Sequence, residues 1–174
     1  QTELGADVEI GQMRSLIAAI ARFTIAAEAV LALILFVAFT TRHDLPVGRA
    51  AYEAAFHAVS AWNNAGISLR TDSLADYGGD PLVLLPISLA FVVGGLGFPV
   101  LVEFVRRIPR NRWALNTRIT LLATVVLLVI GPLLVLVLEW RNDATLGAMG
   151  VPEKLLTAWF HGATPRTAGF HTVV

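Results

Sequence analysis

The sequence predicts an all-α integral membrane protein of repeated units, each a span, a short re-entrant helix, a glycine-containing loop and a second span. Three observations predict it. Of the 174 residues, 56% are hydrophobic and 15% charged, against about 25% charged in soluble domains. The apolar residues gather into three bilayer-length runs, and the pattern then begins to repeat.

The first run covers residues 15–39, broken only by Arg22, Thr24 and Glu28. The second covers 82–105, with Ser88 and Glu103, and the third 119–138, with Thr120 and Thr124. Each meets the roughly 20 apolar residues that cross about 30 Å of hydrocarbon. Pro86 and Pro99 are expected to bend the second run, and Gly94, Gly95 and Gly97 to let a neighbouring backbone come close. Glu28, an acid within a span, is either a proton or ion relay or the partner of a polar group on an adjacent helix.

Charge orients the spans. Arg106, Arg107, Arg110, Arg112 and Arg118 stand together without an acid among them, and Arg14 and Arg22 flank the start of the first run. Asp44, Glu53, Asp72, Asp76, Asp80, Glu139, Asp143 and Glu153 lie toward the opposite ends. The positive-inside rule therefore places the Arg106–Arg118 loop in the cytoplasm and the acidic loops outside. Asp72, Asp76 and Asp80 either concentrate cations at a mouth or are simply solvated. Trp62, Trp113, Trp140 and Trp159 fall near predicted helix ends, as an interfacial belt would have them. A net charge of zero gives no field for nucleic acid, and the absence of cysteine removes disulfides and thiolate metal sites. The chain opens at Gln1 and stops at Val174 after a loop-like stretch, so it reads as an internal piece of a longer protein.

Two shorter segments, 49–62 and 152–163, carry mixed polar residues and run into glycine-containing loops. Beside true spans, such lengths predict re-entrant helices. The repeat joins these parts. Arg14 recurs as Arg118 and Phe56-His57 as Phe160-His161, an offset of 104, while Ala65-Gly66 recurs as Ala168-Gly169 at 103. Residues 1–113 then form one complete unit, and 114–174 form a partial second one with span 119–138, short helix 152–163 and loop 164–170. Glycine in each loop accepts positive φ, and the helix before it directs the negative end of its dipole at the loop, as backbone-carbonyl cation sites require. A plain helix C-cap would also use glycine.

The stretch Phe56-His-Ala-Val-Ser-Ala-Trp-Asn-Asn-Ala-Gly66 resembles the second pore loop of the Ktr/Trk/HKT superfamily of potassium transporters. Thr164-Pro-Arg-Thr-Ala-Gly-Phe170 resembles the third, and Gly94-Gly-Leu-Gly-Phe98 the glycine-rich stretch after the second loop, in wording closest to the KtrB branch. The resemblance implies four such units around a pseudo-fourfold potassium pathway. Filter carbonyls would come from Asn63, Asn64, Ala65 and Gly66 and from Arg166, Thr167, Ala168 and Gly169. Ile67 stands where the family commonly has Phe, a packing position behind the filter. The resemblance further implies a homodimer in the bacterial plasma membrane, a cytoplasmic nucleotide-binding regulatory subunit, transported K+ with Na+ coupling or conduction as the alternative, and no tightly bound cofactor or enzymatic turnover. Anionic lipid is an equal candidate for contact with the Arg106–Arg118 loop.

Arg166, beside a cation path, is expected to point away and bond loop carbonyls or an acid such as Glu139 or Glu153. His57 and His161, with Ser60 and Thr164 nearby, are expected to pack rather than serve as the base of an intramembrane hydrolase, for no Gly-x-Ser-x-Gly elbow occurs. A non-conducting scaffold is the third reading.

Overall fold

The computed structural model describes the backbone of residues 2–166 and 169–172, and the side chains of 13–165 and 169–172. Among these the regular structure is entirely helical. In chain order the helices are α1 (Thr2–Arg42), α2 (Val47–Trp62), α3 (Pro81–Gly95), α4 (Phe98–Val105), α5 (Leu115–Glu139) and α6 (Val151–Ala163), with single 3-10 turns at Ala75–Tyr77, Arg110–Arg112 and Thr164–Arg166.

Two helices are long and apolar enough to cross a membrane, α1 from Met13 to Arg42 and α5. The α3–α4 pair is a third candidate, bent by 97°. The expected run over 82–105 is therefore two helices. Pro86 lies within α3 without ending it. The corner is at Gly97, whose φ of +83° no helix accommodates and which caps α4 with Pro99 in its first turn. Glycine accepts that φ without a Cβ clash, and proline needs no donor partner there. Of the two bends expected at prolines, only the second has a counterpart, and a glycine makes it.

Each short helix packs on the span that precedes it, α2 on α1 and α6 on α5, while α3 touches α1, α2 and α6. On α2, alanines 50, 54, 58 and 61 are all buried. Their spacing of three and four puts a smooth small-residue strip along one face, and such strips let helices approach. Closest approach occurs at three glycines, Gly94, Gly131 and Gly162. A Cβ on Gly94 would sit 2.0 Å from the Trp62 carbonyl oxygen, and one on Gly131 would sit 2.3 Å from that of Gly162. Gly94 thus has the packing role its sequence position predicts. Leu35, Phe39, Ile87, Phe91, Phe160 and Phe170 fill the core between α1, α3, α6 and the loop after α6, each fully buried.

The tryptophans differ in what they touch. Trp159 Nε1 donates to Ser88 Oγ at 3.0 Å, tying α6 to α3. Trp62 packs edge-on to Phe23 of α1. Both turn inward because the short helices end inside the fold. Only Trp113 and Trp140 remain at span ends, Trp140 beneath the Lys154 ammonium at 4.9 Å.

Candidate functional site

Helix α2 ends by geometry that its sequence disguises. The Ala65 N–H donates to Ser60 O at 2.8 Å and the Asn64 N–H to Ala61 O at 3.1 Å. Asn64 has φ +56°. These are the two bonds and the left-handed residue of a Schellman C-cap, with Asn in the place glycine usually takes. Gly66, two residues further on, also has positive φ, +65°. The cap is complete without it, so a capping role does not account for this glycine. Its conformation belongs to the loop.

Beyond the cap, the carbonyls of Asn63, Ala65 and Gly66 accept no hydrogen bond from a described residue. The Ile67 carbonyl, by contrast, is turned back to the helix, accepting from Ser60 Oγ at 2.7 Å while Ile67 N–H donates to the same hydroxyl at 2.9 Å. The Asn63 side chain also points away, donating to Glu28 Oε1 at 2.7 Å and to Val59 O at 2.9 Å. Of the two roles open to Glu28, it has the polar partner, and that partner is a loop residue.

Three α2 side chains grip the strand leaving Gly66. They stand at positions 60, 57 and 53, one helix face. Ser60 holds Ile67 as above. His57 is fully buried; its Nδ1 donates to Glu53 O at 2.7 Å and its Nε2 lies 3.1 Å from Ser68 Oγ. The buried Glu53 carboxylate accepts from Arg49 Nε at 2.8 Å, from Tyr77 Oη at 2.8 Å and from Arg70 Nη2 at 3.2 Å. Burial alone would raise the Glu53 pKa, but the bonds from Tyr77 and Arg49 and the charge of Arg70 outweigh it and hold the carboxyl below its ordinary value. Tyr77 is pushed well above the usual phenol range by burial and by that same carboxylate. Arg70 also pairs with Asp76 and lies 4.8 Å from the Tyr77 ring centroid. Asp80 caps α3 through Leu82 N–H at 2.9 Å and meets Arg42 and His43. Asp76 and Asp80 are thus occupied within the fold, which leaves Asp72 as the one of the three without a side-chain ion pair among the described residues.

In the second unit Gly169 has φ +86° and its N–H donates to Thr164 O at 3.4 Å. A Cβ there would meet open space, so the backbone angle alone demands glycine. Thr167, Ala168 and the Arg166 side chain lie outside the described residues. Glu139, one expected partner for Arg166, accepts from Asn142 at 2.5 Å and Thr145 at 2.7 Å. Phe170 is fully buried against the His57 ring, at 6.4 Å between centroids, and its neighbour His171 bonds Leu74 N–H through its carbonyl at 2.9 Å. The loop after α6 is therefore seated on α2 and on the loop that follows it. Ile67, the residue aligned with Phe170, is 60% exposed and has no such seat among the described residues.

Sequence reasoning missed the His–hydroxyl contacts. His161 Nε2 lies 2.9 Å from Thr172 Oγ1 and accepts from Thr172 N–H at 3.2 Å, which repeats the His57–Ser68 contact eleven residues on in each case. The common separation was a readable signal. A Ser–His contact is also the beginning of a hydrolase pair, but here a backbone carbonyl holds Nδ1 and the Ser68 hydroxyl is within 2.8 Å of Ser73 O. With the imidazole fully enclosed, no face of it is open to a substrate carbonyl. Among the described residues there is no His/Asp/Glu cluster fit to hold a metal ion by side chains.

A family model described as TrkH, cation transport protein, matches residues 1–174. The chain is 38% identical over 164 residues to the Ktr system potassium uptake protein B of Bacillus subtilis, an alignment covering 94% of this chain and 36% of that protein. To the protein of the same name from Vibrio alginolyticus it is 35% identical over 163 residues, 92% of this chain and 35% of that one. To the potassium/sodium uptake protein NtpJ of Enterococcus hirae it is 35% identical over 118 residues, 68% of this chain and 26% of that one. The chain spans about a third of the length of the two uptake proteins named first.

Proposed function

The chain belongs to the TrkH family of cation transport proteins, and we propose that it is part of the pore-forming subunit of a potassium uptake system in the bacterial plasma membrane. The observation that carries the reading is Gly66. It holds a positive φ that the helix cap does not require, beside carbonyls of Asn63, Ala65 and Gly66 that no described group uses. Such carbonyls can replace the hydration shell of a cation, and the C-terminal end of α2 adds partial negative charge. Asn64 and, in the second loop, Arg166, Thr167, Ala168 and Gly169 complete the proposed ligand set through their backbones.

In this reading residues 1–113 and 114–174 are one whole and one partial unit of a pseudo-fourfold assembly. The filter loops face outward and the Arg106–Arg118 loop the cytoplasm. The protein works as a homodimer with a cytoplasmic nucleotide-binding regulatory subunit. It turns over no covalent substrate and holds no organic cofactor. A second reading, sodium conduction or coupling, is favoured by the relative whose name includes both ions.

The test is potassium-limited growth of an uptake-deficient bacterium carrying the full-length protein. Wild type and Asp143→Asn, an exposed outer-loop change, are expected to restore growth, and Gly66→Asp or Gly169→Asp at equal membrane level are not. Growth indifferent to both glycines would overturn the filter assignment.

A further inference from the structure

We propose that the imidazole–hydroxyl contact made by His57 with Ser68 and by His161 with Thr172 is the strut that fixes the strand leaving each filter glycine. This makes the four side chains positioning residues for cation discrimination. The proposal rests on the filter reading above and names what holds that filter in shape.

The two units do not share the rest of their clamp. In the first, Ser60, His57 and Glu53 hold residues 67, 68 and 70 in turn. The offset of 104 carries those helix positions to Thr164, His161 and Thr157. Both threonine hydroxyls are buried there without a partner among the described residues. Of the three rungs, only the histidine rung is present in both units. It also survives a change of loop length. From histidine to glycine there are nine residues in the first unit and eight in the second, and from glycine to hydroxyl two and three, so the total stays at eleven. The glycine has moved along the loop while the tie point has not.

Position in the fold gives the strut its leverage. His57 has no exposed surface, so its ring cannot shift without disturbing Phe39 at 6.2 Å and Phe170 at 6.4 Å between centroids. Phe170 follows Gly169 directly. One imidazole thus meets the strand of its own loop at Ser68, whose one hydroxyl proton lies between His57 Nε2 and Ser73 O, and meets the other loop by contact. Carbonyl sites separate ions of similar size only if the oxygens keep their spacing and number, so loosening the strand is expected to blunt discrimination before it abolishes flux.

The experiment compares K+ and Na+ uptake by the full-length protein in the uptake-deficient host at matched membrane levels. His57→Ala, Ser68→Ala and Thr172→Ala are expected to lower the K+/Na+ preference by about three- to tenfold, the range one net hydrogen bond spans. Ser68→Thr and Thr172→Ser, which exchange the hydroxyls the two units already use, are expected to keep it. A merely structural role would lower the amount of protein and leave the ratio alone. If His57→Ala does not reach the membrane, Ser68→Ala decides, since it removes one oxygen. An unchanged ratio in Ser68→Ala and Thr172→Ala, while Gly169→Asp abolishes uptake, overturns the strut and spares the filter. Uptake indifferent to Gly169→Asp overturns both.

Discussion

Replacing Glu53 by alanine removes the acid on which the loop between α2 and α3 is hung, and the consequences can be worked group by group. The Arg49 side chain is 63% exposed and returns to water, so its loss counts for about 0–1 kcal/mol. Tyr77 is 1% exposed and its hydroxyl would be left buried without an acceptor, a cost of about 1–3 kcal/mol. Arg70, at 20% exposure, loses its buried partner but keeps Asp76. Its share therefore falls well below the roughly 3–5 kcal/mol of a fully orphaned buried charge. The expected loss for Glu53→Ala is about 2–4 kcal/mol, with Arg49→Ala near zero. Denaturant unfolding of the full-length protein in detergent micelles, followed by intrinsic fluorescence, reads this difference. Tyr77→Phe in wild type and in Glu53→Ala closes a double-mutant cycle for the phenol. A Glu53→Ala loss below about 1 kcal/mol, or no coupling to Tyr77, would refute the reasoning, since a buried acid with three donors cannot be removed so cheaply.

Two further outcomes follow from the same geometry. Because the Glu53 carboxyl is held below its ordinary pKa, its stabilising contribution is complete above the usual carboxylate range and is lost as pH falls through the lower folded value. An acid titration of stability should therefore be flatter in Glu53→Gln than in wild type. Gly162→Ala would place a Cβ 2.1 Å from Pro132 N and 2.5 Å from Gly131 C, both backbone, so α5 and α6 must part. Unfolding should show a loss of about 1–3 kcal/mol despite the better helix former.

Much of this architecture can be read from residues alone. The extents of α2 and α6 follow from where the mixed-polarity segments begin and where their glycine loops start, and the repeat offset relates them. The corner at Gly97 was less legible, because proline is the better known helix breaker while glycine's part depends on a left-handed φ that neighbouring packing selects. The helical continuation of α1 back to Thr2 carries no apolar run to announce it. Asn64 as the capping residue was hidden for a related reason: Asn tolerates the left-handed region, yet nothing local compels it there. Glu53, Arg70 and Tyr77 are separated by 17 and 24 residues along the chain. Their meeting is decided by how the loop between α2 and α3 folds back, which no local pattern encodes. The inward turn of Trp62 and Trp159 has the same origin, for a helix end packed on its neighbours looks, in sequence, like one at the surface.

The corner at Gly97 has a consequence for the lipid around the protein. At about 1.5 Å per residue, the 15 residues of α3 reach only about 22 Å, and α4, turned through 97°, adds almost nothing along that direction. The 25 residues of α5 reach about 38 Å. Of these candidate spans one is therefore short and another tall. A bilayer that met both helices would have to be thinner beside α3 than beside α5, at a cost of fractions of a kcal/mol per Å. Acyl-chain length would then act on the two helices in opposite senses.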